Sequence, residues 1–234
     1  MRIVTWNCRV GRYREKAARM ASLNPDIVAV QEVESLDGML LLAGECQPTF
    51  QDRSTNPGAP RRGIGVFSYT GVEMKAVDGA QPDYAFRRYE AVREGQAFNV
   101  AAVWTWKANS AKDSYRQAHK GLVEHAEWMR RRPTILLGDF NSNASFTGKN
   151  WRDLEPLLDG LGLQSAYHRF FDEKFGKETR ATHFFRGSKE STFHLDYCFL
   201  PAEWADRITS VDVGTYDEWN DDSDHVPLIV DLDI

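Results

Sequence analysis

One run of residues constrains this chain more than any other: Pro133-Thr134-Ile135-Leu136-Leu137-Gly138-Asp139-Phe140-Asn141-Ser142-Asn143. Its first half is short, apolar and β-branched at the start, the pattern of a buried strand. Its second half turns abruptly to Gly, Asp and Asn, residues that leave a strand for a loop. Side chains two apart on extended backbone point the same way, so Asp139 and Asn141 stand side by side at the mouth of a sheet. Asp and Asn are also ordinary turn formers, so the run gains its meaning from the rest of the chain.

The same pattern recurs. Residues 2–7 read as a strand ending on Asn7, and residues 27–32 as a second ending on Glu32. Between them Tyr13, Ala17, Met20, Ala21 and Leu23 fall among basic residues, which predicts an amphipathic helix over 12–23, stopped by Asn24-Pro25-Asp26. Residues 36–42 read as a short helix, and 51–62, rich in Pro, Gly, Asn and Arg, as a surface loop. Residues 63–69, 72–77, 85–93 and 97–106 follow as strands with turns between, a density that predicts antiparallel sheet. The strongest helix spans 112–131, with Tyr115, His119, Leu122, Ala126 and Met129 at helical spacing and His119 at the core edge. Beyond Asn143 a helix is expected over 150–158, an extended piece over 163–167, and an exposed aromatic and charged excursion over 170–180. Strands over 193–200, 208–213 and 226–232, with a helical turn over 202–207, complete the chain. No repeat, low-complexity tract or linker divides it, so one domain over 1–234 is expected.

Composition narrows the chemistry. The formal net charge is −5, which offers no global basic field to nucleic acid, although bound cations can offset an acidic site. The three cysteines, Cys8, Cys46 and Cys198, are widely spaced with no CxxC pair, so neither a disulfide framework nor a structural zinc site is expected. The chain opens without a basic-then-apolar leader and holds no run long enough to span a bilayer. A cytoplasmic protein with no membrane partner, working as a monomer, is the expectation.

Five strand ends thus deliver polar groups: Asn7, Glu32, Asp139 with Asn141, Asp196, and Asp224-His225. Carboxylates and amides with one imidazole and no thiolate cluster suit a hard cation, Mg²⁺ or Mn²⁺, which binds through one or two carboxylates plus substrate phosphate. Such an ion polarises a phosphoryl oxygen and supports a leaving oxyanion. A histidine held by a carboxylate is suited to general-base work near neutral pH. Asp196 lies two positions after His194, so strand alternation would put both on one face and bring His194 to a substrate phosphate.

In order along the chain, Thr5-Trp6-Asn7, Pro25-Asp26-Ile27 leading to Gln31-Glu32, Gly138-Asp139-Phe140-Asn141, Leu195-Asp196-Tyr197 and Ser223-Asp224-His225-Val226-Pro227 resemble the endonuclease/exonuclease/phosphatase superfamily, which includes DNase I-like and exonuclease III-like nucleases. The resemblance implies an α/β fold, a four-layer αββα sandwich of two mixed sheets with helices outside and a site at one edge of the sheets. It implies Glu32 as principal metal ligand, helped by Asn7 and Asp224. It implies Asp139 and Asn141 as the pair that orients the nucleophilic water, His225 as the catalytic histidine and Asp196 as its partner. Either Asp139 or His225 would take the water's proton. Two positions depart from the pattern. Trp106 stands where many relatives carry a His or Tyr, and an indole donates one hydrogen bond but shuttles no proton. Arg9 stands where abasic-site nucleases carry an acid, so an extra cation could grip phosphate there.

The expected function is metal-dependent hydrolysis of a phosphate ester, foremost a phosphodiester of DNA or RNA. A small-molecule or lipid-headgroup phosphodiesterase or phosphatase would use the same residues, and a non-catalytic binding protein on this scaffold is the alternative of another class. Arg61, Arg62, Arg87, Arg88, Lys107, Lys149 and Arg152 are candidate grips for a phosphate backbone, and Trp106, Trp151, Phe184 and Phe185 candidate platforms for bases.

Overall fold

The computed structural model of the chain describes residues 1–34, 48–54, 61–69, 71–77, 84–106, 113–146, 151 and 153–234. The expected helix over 36–42, Cys46, residues 55–60 of the 51–62 stretch and the candidate grips Lys107, Lys149 and Arg152 lie outside the described residues.

The first part of the chain forms β1 (Arg2–Asn7), α1 (Tyr13–Ala21), β2 (Ile27–Val33), β3 (Phe50–Arg53), β4 (Gly63–Ser68), β5 (Glu73–Ala76), β6 (Phe86–Arg93) and β7 (Gln96–Trp104). Then come α2 (Asp113–Glu124), α3 (Ala126–Arg130), β8 (Thr134–Asp139), α4 (Leu154–Gly160), β9 (Leu163–Ser165) and α5 (Ala166–Phe171). The last part supplies β10 (His183–Phe184), β11 (Thr192–Phe193), β12 (Asp196–Pro201), α6 (Ala202–Ala205), β13 (Ile208–Val213), α7 (Tyr216–Trp219) and β14 (Leu228–Leu232).

These strands make two six-stranded sheets, ordered β13-β14-β1-β2-β4-β3 and β5-β6-β7-β8-β12-β9, and a small β10-β11 ribbon. Each large sheet holds one parallel pair, β1 with β2 and β7 with β8, among antiparallel neighbours. A parallel pair requires a crossover, and α1 and α2–α3 supply the two. The crossovers send β1, β2, β7 and β8 in and out in the same sense, so in each sheet the polar strand ends share an edge.

Strand alternation explains the layers. Ile3, Ile27, Ala29, Ile135, Leu137, Cys198 and Leu200 point between the sheets into one core. Their neighbours Val4, Trp6, Val28 and Val30 point outward, where Tyr13, Ala17 and Met20 of α1 cover them. On the other sheet Ala101, Val103, Leu136, Tyr197 and Phe199 point outward beneath Ala118 and Leu122 of α2 and Leu154 and Leu158 of α4. Both faces of the central strands are buried, which is why their sequences are continuous apolar runs rather than alternating ones. Each such side chain contributes roughly 1.5–3 kcal/mol. The order helix, sheet, sheet, helix is the four-layer sandwich of the DNase I-like fold.

Several boundaries differ from those the sequence predicts. β3 occupies the start of the stretch read as loop, because its Phe50–Arg53 backbone finds an edge on β4. The long helix breaks at His125 into α2 and α3, and α2 buries Ser114, Ala118, Gly121 and Leu122 rather than the Tyr115 and His119 stripe. Gly121 decides that face: a Cβ there would stand 2.1 Å from the Phe86 ring, so only a glycine lets the helix lie so close to β6. The extended piece ends at Ser165, whose hydroxyl accepts from the His168 backbone N–H and caps α5. Finally, residues 193–200 are not one strand: the chain leaves the ribbon at Phe193 and re-enters the sheet at Asp196.

Candidate active site

Sheet register brings the first two carboxylates together. Asp139 ends β8 and Asp196 begins β12, and the two are cross-strand partners. Both are fully buried. The approach of β8 to its neighbour depends on Gly138, which sits at φ 144°; a Cβ there would lie 1.9 Å from the Val103 carbonyl oxygen. No L side chain fits that space or that backbone.

Asp139 is held by amides. Its Oδ1 accepts from the Asn141 backbone N–H at 2.7 Å, and its Oδ2 accepts from Asn141 Nδ2 at 2.7 Å and from Asn7 Nδ2 at 2.9 Å. Asn141 Nδ2 also donates to the Thr105 carbonyl at 2.7 Å, which ties the loop after β8 to the end of β7. Burial, and then the charge of Asp196, push the Asp139 carboxyl up to about 7 against the opposing pull of His225 and these donors.

His225 arrives on the turn before β14. Ser223 fixes that turn, its hydroxyl donating to the Asn7 carbonyl at 2.7 Å and accepting the His225 N–H at 3.0 Å. Trp6 Nε1 donates to the His225 carbonyl at 3.0 Å. The imidazole then donates from Nδ1 to Asp196 Oδ2 at 2.8 Å. Burial alone would lower this imidazole, but Asp196, with Asp139 and Asp224 further off, holds it raised to about 9. One donor atom each from Asp139, Asp196 and His225 lies within 4.8 Å of the others.

Glu32 reaches the same place by a bulge. The β2–β4 register shifts between Gln31 and Val33, and Glu32 turns out at φ 63°. Its Oε1 stands 3.5 Å from Asn7 Nδ2, its Oε2 accepts from the Val10 N–H at 3.2 Å, and Arg62 is 3.4 Å away. One amide, Asn7, therefore stands between Glu32 and Asp139. Arg9 and Asn141 share the left-handed conformation of Glu32, at φ 48° and 45°. Buried Lys16 supports the loop leaving β1, donating to the Cys8 carbonyl at 2.6 Å and the Arg9 carbonyl at 2.9 Å.

The other expected site residues fall elsewhere. His194 belongs to no strand, so alternation does not place it beside Asp196. Its ring is buried against Tyr167 and Tyr197, Nδ1 faces the Arg180 carbonyl, and burial lowers its pKa. Strand alternation therefore gives no support to a contact between His194 and substrate. Asp224, on the same turn as His225, stands next to His183, with 4.0 Å between Oδ2 and Nε2. Arg9 is exposed, its N–H bonded to Asn7 Oδ1 at 3.0 Å. Trp106 is half-buried, its ring 5.6 Å from Trp104 and its backbone doubly bonded to the Gln117 amide. Arg62 faces Glu32 and Arg87 pairs with Asp52 at 2.5 Å, so these grips are engaged by acids of the chain itself. Trp151 is core, stacked 4.7 Å from Tyr197. The residue that sequence reasoning missed is His183, whose ring lies 4.4 Å from His225. A histidine inside an aromatic stretch carries no local signal of this pairing.

The chain matches the Endonuclease/Exonuclease/phosphatase family over residues 4–225. It belongs to that family. As a member it is a hydrolase of phosphate esters that works with a divalent metal ion. Sequence comparison with curated proteins finds no match. Among solved structures the chain is similar in fold to a Neisseria 3′ phosphatase, NExo, bound to a product DNA hairpin (TM-score 0.73, 20% identity). It is also similar to the 3′-5′ exonuclease NExo from Neisseria meningitidis (TM-score 0.69, 20% identity) and to an AP endonuclease from Archaeoglobus fulgidus (TM-score 0.70, 16% identity). Each superposition covers 100% of both chains.

The family member's own donor set fits such an ion. Asp196 Oδ1 is buried without a hydrogen-bond partner, and Asp139 is pushed toward its neutral form by burial and a like charge. Acidic oxygens short of positive charge, with one imidazole and no thiolate, are what a hard dication neutralises. Among the described residues no helix is long and apolar enough to cross a membrane.

Proposed function

We propose that this chain is a Mg²⁺- or Mn²⁺-dependent phosphodiesterase acting on nucleic acid. The observation that carries the reading is the convergence of Asp139, Asp196 and His225 within 4.8 Å, at an edge shared with Asn7, Asn141 and Glu32. Glu32, with Asn7 beside it, would hold the ion. When bound, the ion supplies charge neutralisation at the phosphoryl and leaving oxygens. Asp139, locked by the Asn7 and Asn141 amides, orients the attacking water. The Asp139 and His225 pair receives the proton that this water loses, and Asp196 fixes the imidazole through its Nδ1 hydrogen bond. Water adds to phosphorus as the bond to the leaving oxygen breaks, and the leaving oxygen is protonated. Most of the rate enhancement comes from donors and charges already in place.

Nucleic acid is the favoured substrate because the fold neighbours, over full length, include a 3′ phosphatase solved with DNA and an AP endonuclease. A small phosphoester is the second reading, supported by the internal pairing of Arg62 and Arg87 and by the acidic net charge. One continuous core across both sheets supports action as a single-domain monomer, and the free buried thiols of Cys8 and Cys198 suit a reducing cytoplasm. Hydrolysis of bis(p-nitrophenyl) phosphate, plasmid DNA and single-stranded DNA with Mg²⁺ and with EDTA tests the reading. Metal-dependent cleavage of DNA is expected. Turnover of the chromogenic ester alone moves the assignment to the small-ester reading, and no turnover of any ester by a metal-loaded protein refutes both.

A further inference from the structure

Asp196 and the imidazole it fixes belong to different sheets. Asp196 begins β12 in one, and His225 sits on the turn before β14 in the other, so no strand ladder sets one against the other. Thr182 joins them. Its hydroxyl accepts from the Asp196 N–H at 3.0 Å and from the Leu195 N–H at 2.9 Å. Its carbonyl accepts from the Val226 N–H at 2.8 Å, and its own N–H donates to the Phe193 carbonyl at 3.0 Å. The next two residues continue the seam: His183 bridges to His225, and the Phe184 N–H donates to the Asp224 carbonyl at 2.7 Å.

The hydroxyl stands where sheet pairing fails. Consecutive N–H groups on a regular strand point to opposite edges, so two that meet a single oxygen mark a break in the extended backbone. That break lies where the chain leaves the ribbon at Phe193 and re-enters the sheet at Asp196. Thr182 is 0% exposed, and both of these hydrogen bonds are buried. Without the oxygen, two adjacent buried N–H groups lose their acceptor, a loss costly enough to move the backbone that carries them. That backbone carries Asp196, whose Oδ2 accepts from His225 Nδ1 at 2.8 Å. Hydrogen bonds weaken steeply with misalignment, and a misplacement of about 1 Å can cost about a hundredfold in rate. Packing alone does not call for a hydroxyl here: valine has the same shape, and burying a polar group without partners is unfavourable.

We propose that Thr182 is a positioning residue for ester hydrolysis, its hydroxyl and carbonyl together setting Asp196 against His225 across the two sheets. This rests on the phosphoesterase reading and deepens it. The test compares the Mg²⁺-loaded wild type, Thr182→Val and Thr182→Ser on bis(p-nitrophenyl) phosphate. Val keeps the γ-methyl and loses the oxygen; Ser keeps the oxygen and loses the methyl. Expected in Thr182→Val is a kcat lowered about tenfold or more, with KM and calorimetric Mg²⁺ affinity within about twofold of wild type. Thr182→Ser should keep most of the wild-type kcat. The His225 Nδ1–H proton resonance, identified by its loss in His225→Ala, should move upfield in Thr182→Val as the bond to Asp196 weakens, and return in Thr182→Ser. An unchanged kcat in Thr182→Val overturns the inference, as does a loss in Thr182→Ser as large as in Thr182→Val, which would assign the effect to volume. In either case an active wild type leaves the phosphoesterase reading intact. A wild type inactive on every ester refutes that reading instead, and the resonance then decides on Thr182: moved in Val and restored in Ser supports the inference, and one position in all three overturns it. If Thr182→Val does not fold, Thr182→Cys, whose sulfur is a weak acceptor, takes its place; a lowered kcat is expected and a wild-type kcat overturns the inference.

Discussion

Replacing Asp196 by Asn removes one charge from the centre of the site and leaves its shape and an acceptor for His225 Nδ1. The magnitude follows from the imidazole. Burial pulls His225 down, yet the carboxylate at 2.8 Å helps hold it at about 9 against an ordinary 6.5. The difference, about 9 − 6.5, is about 2.5, and each unit is worth about 1.4 kcal/mol, so the charge of Asp196 and its neighbours, net of burial, stabilises the folded imidazolium by about 3 to 4 kcal/mol. The folded value lies above the unfolded one, so this stability is fully present below pH 6.5 and is lost as pH rises through about 9. Asp139 acts in the opposite sense. Burial and the Asp196 charge raise it to about 7, so the folded state is penalised as Asp139 ionises between pH 3.8 and 7, and the Asn variant escapes part of that penalty. Urea denaturation in EDTA from pH 5 to 9.5 should therefore show wild type more stable than Asp196→Asn by up to about 3 kcal/mol below pH 6.5, with the gap closing and reversing toward pH 9. Imidazole resonances should show His225 titrating at or below 6.5 in the variant, and ester hydrolysis should fall by roughly 10²–10⁴, the range for a disabled acid–base histidine. A stability difference that does not vary with pH, or a His225 titration that does not move, would refute the reasoning.

His225→Ala should cost at least about a hundredfold in ester hydrolysis while circular dichroism remains native, and a near-normal rate would overturn its role. Gly138→Ala forces a Cβ to 1.9 Å from the Val103 carbonyl at a φ of 144°, so a loss of at least about 3 kcal/mol is expected; an unchanged thermal midpoint would contradict it. Glu178 is a third titration to follow: burial pushes its carboxyl up, but His168 at 3.1 Å and the Gly176 N–H at 2.9 Å hold it down at about 2. Its folded value is below the unfolded one, so its contribution, about 2 kcal/mol after allowance for solvent screening, is present above pH 4.5 and lost as pH falls toward 2. Glu178→Gln should flatten the acid limb of the stability curve, and an acid limb identical to wild type would remove Glu178 from the account.

The strand ends were legible because burial on both faces writes an unbroken apolar run that stops where the polar group begins. β1 agrees with its reading residue for residue, β2 runs one residue further, to Val33, and β8 continues through Gly138 and Asp139, which the sequence assigns to the loop. Chain order of the polar motifs then conveyed the family, which no single motif does. What stayed hidden depends on contacts between distant segments. β3 is a strand only because β4 offers it an edge, and its own Phe50–Arg53 sequence is half-buried and unremarkable in pattern. His194 looked like a neighbour of Asp196 because alternation was assumed across a point where the backbone changes sheets. His183 meets His225 through one bridge joining segments 42 residues apart, a relation that period and propensity do not encode.

The left-handed backbone at Arg9, Glu32 and Asn141 has a consequence for how this protein should be dissected. Two of these turns are pinned by polar side chains of the edge: Asn7 Oδ1 on the Arg9 N–H, with Glu32 Oε2 on the adjoining Val10 N–H, and Asp139 Oδ1 on the Asn141 N–H. The atoms proposed to do the chemistry are thus the same atoms that hold the local conformation against strain. Alanine scanning there would mix a lost reactant with a relaxed loop. Isosteric exchanges between acid and amide keep an acceptor in place and separate the two effects.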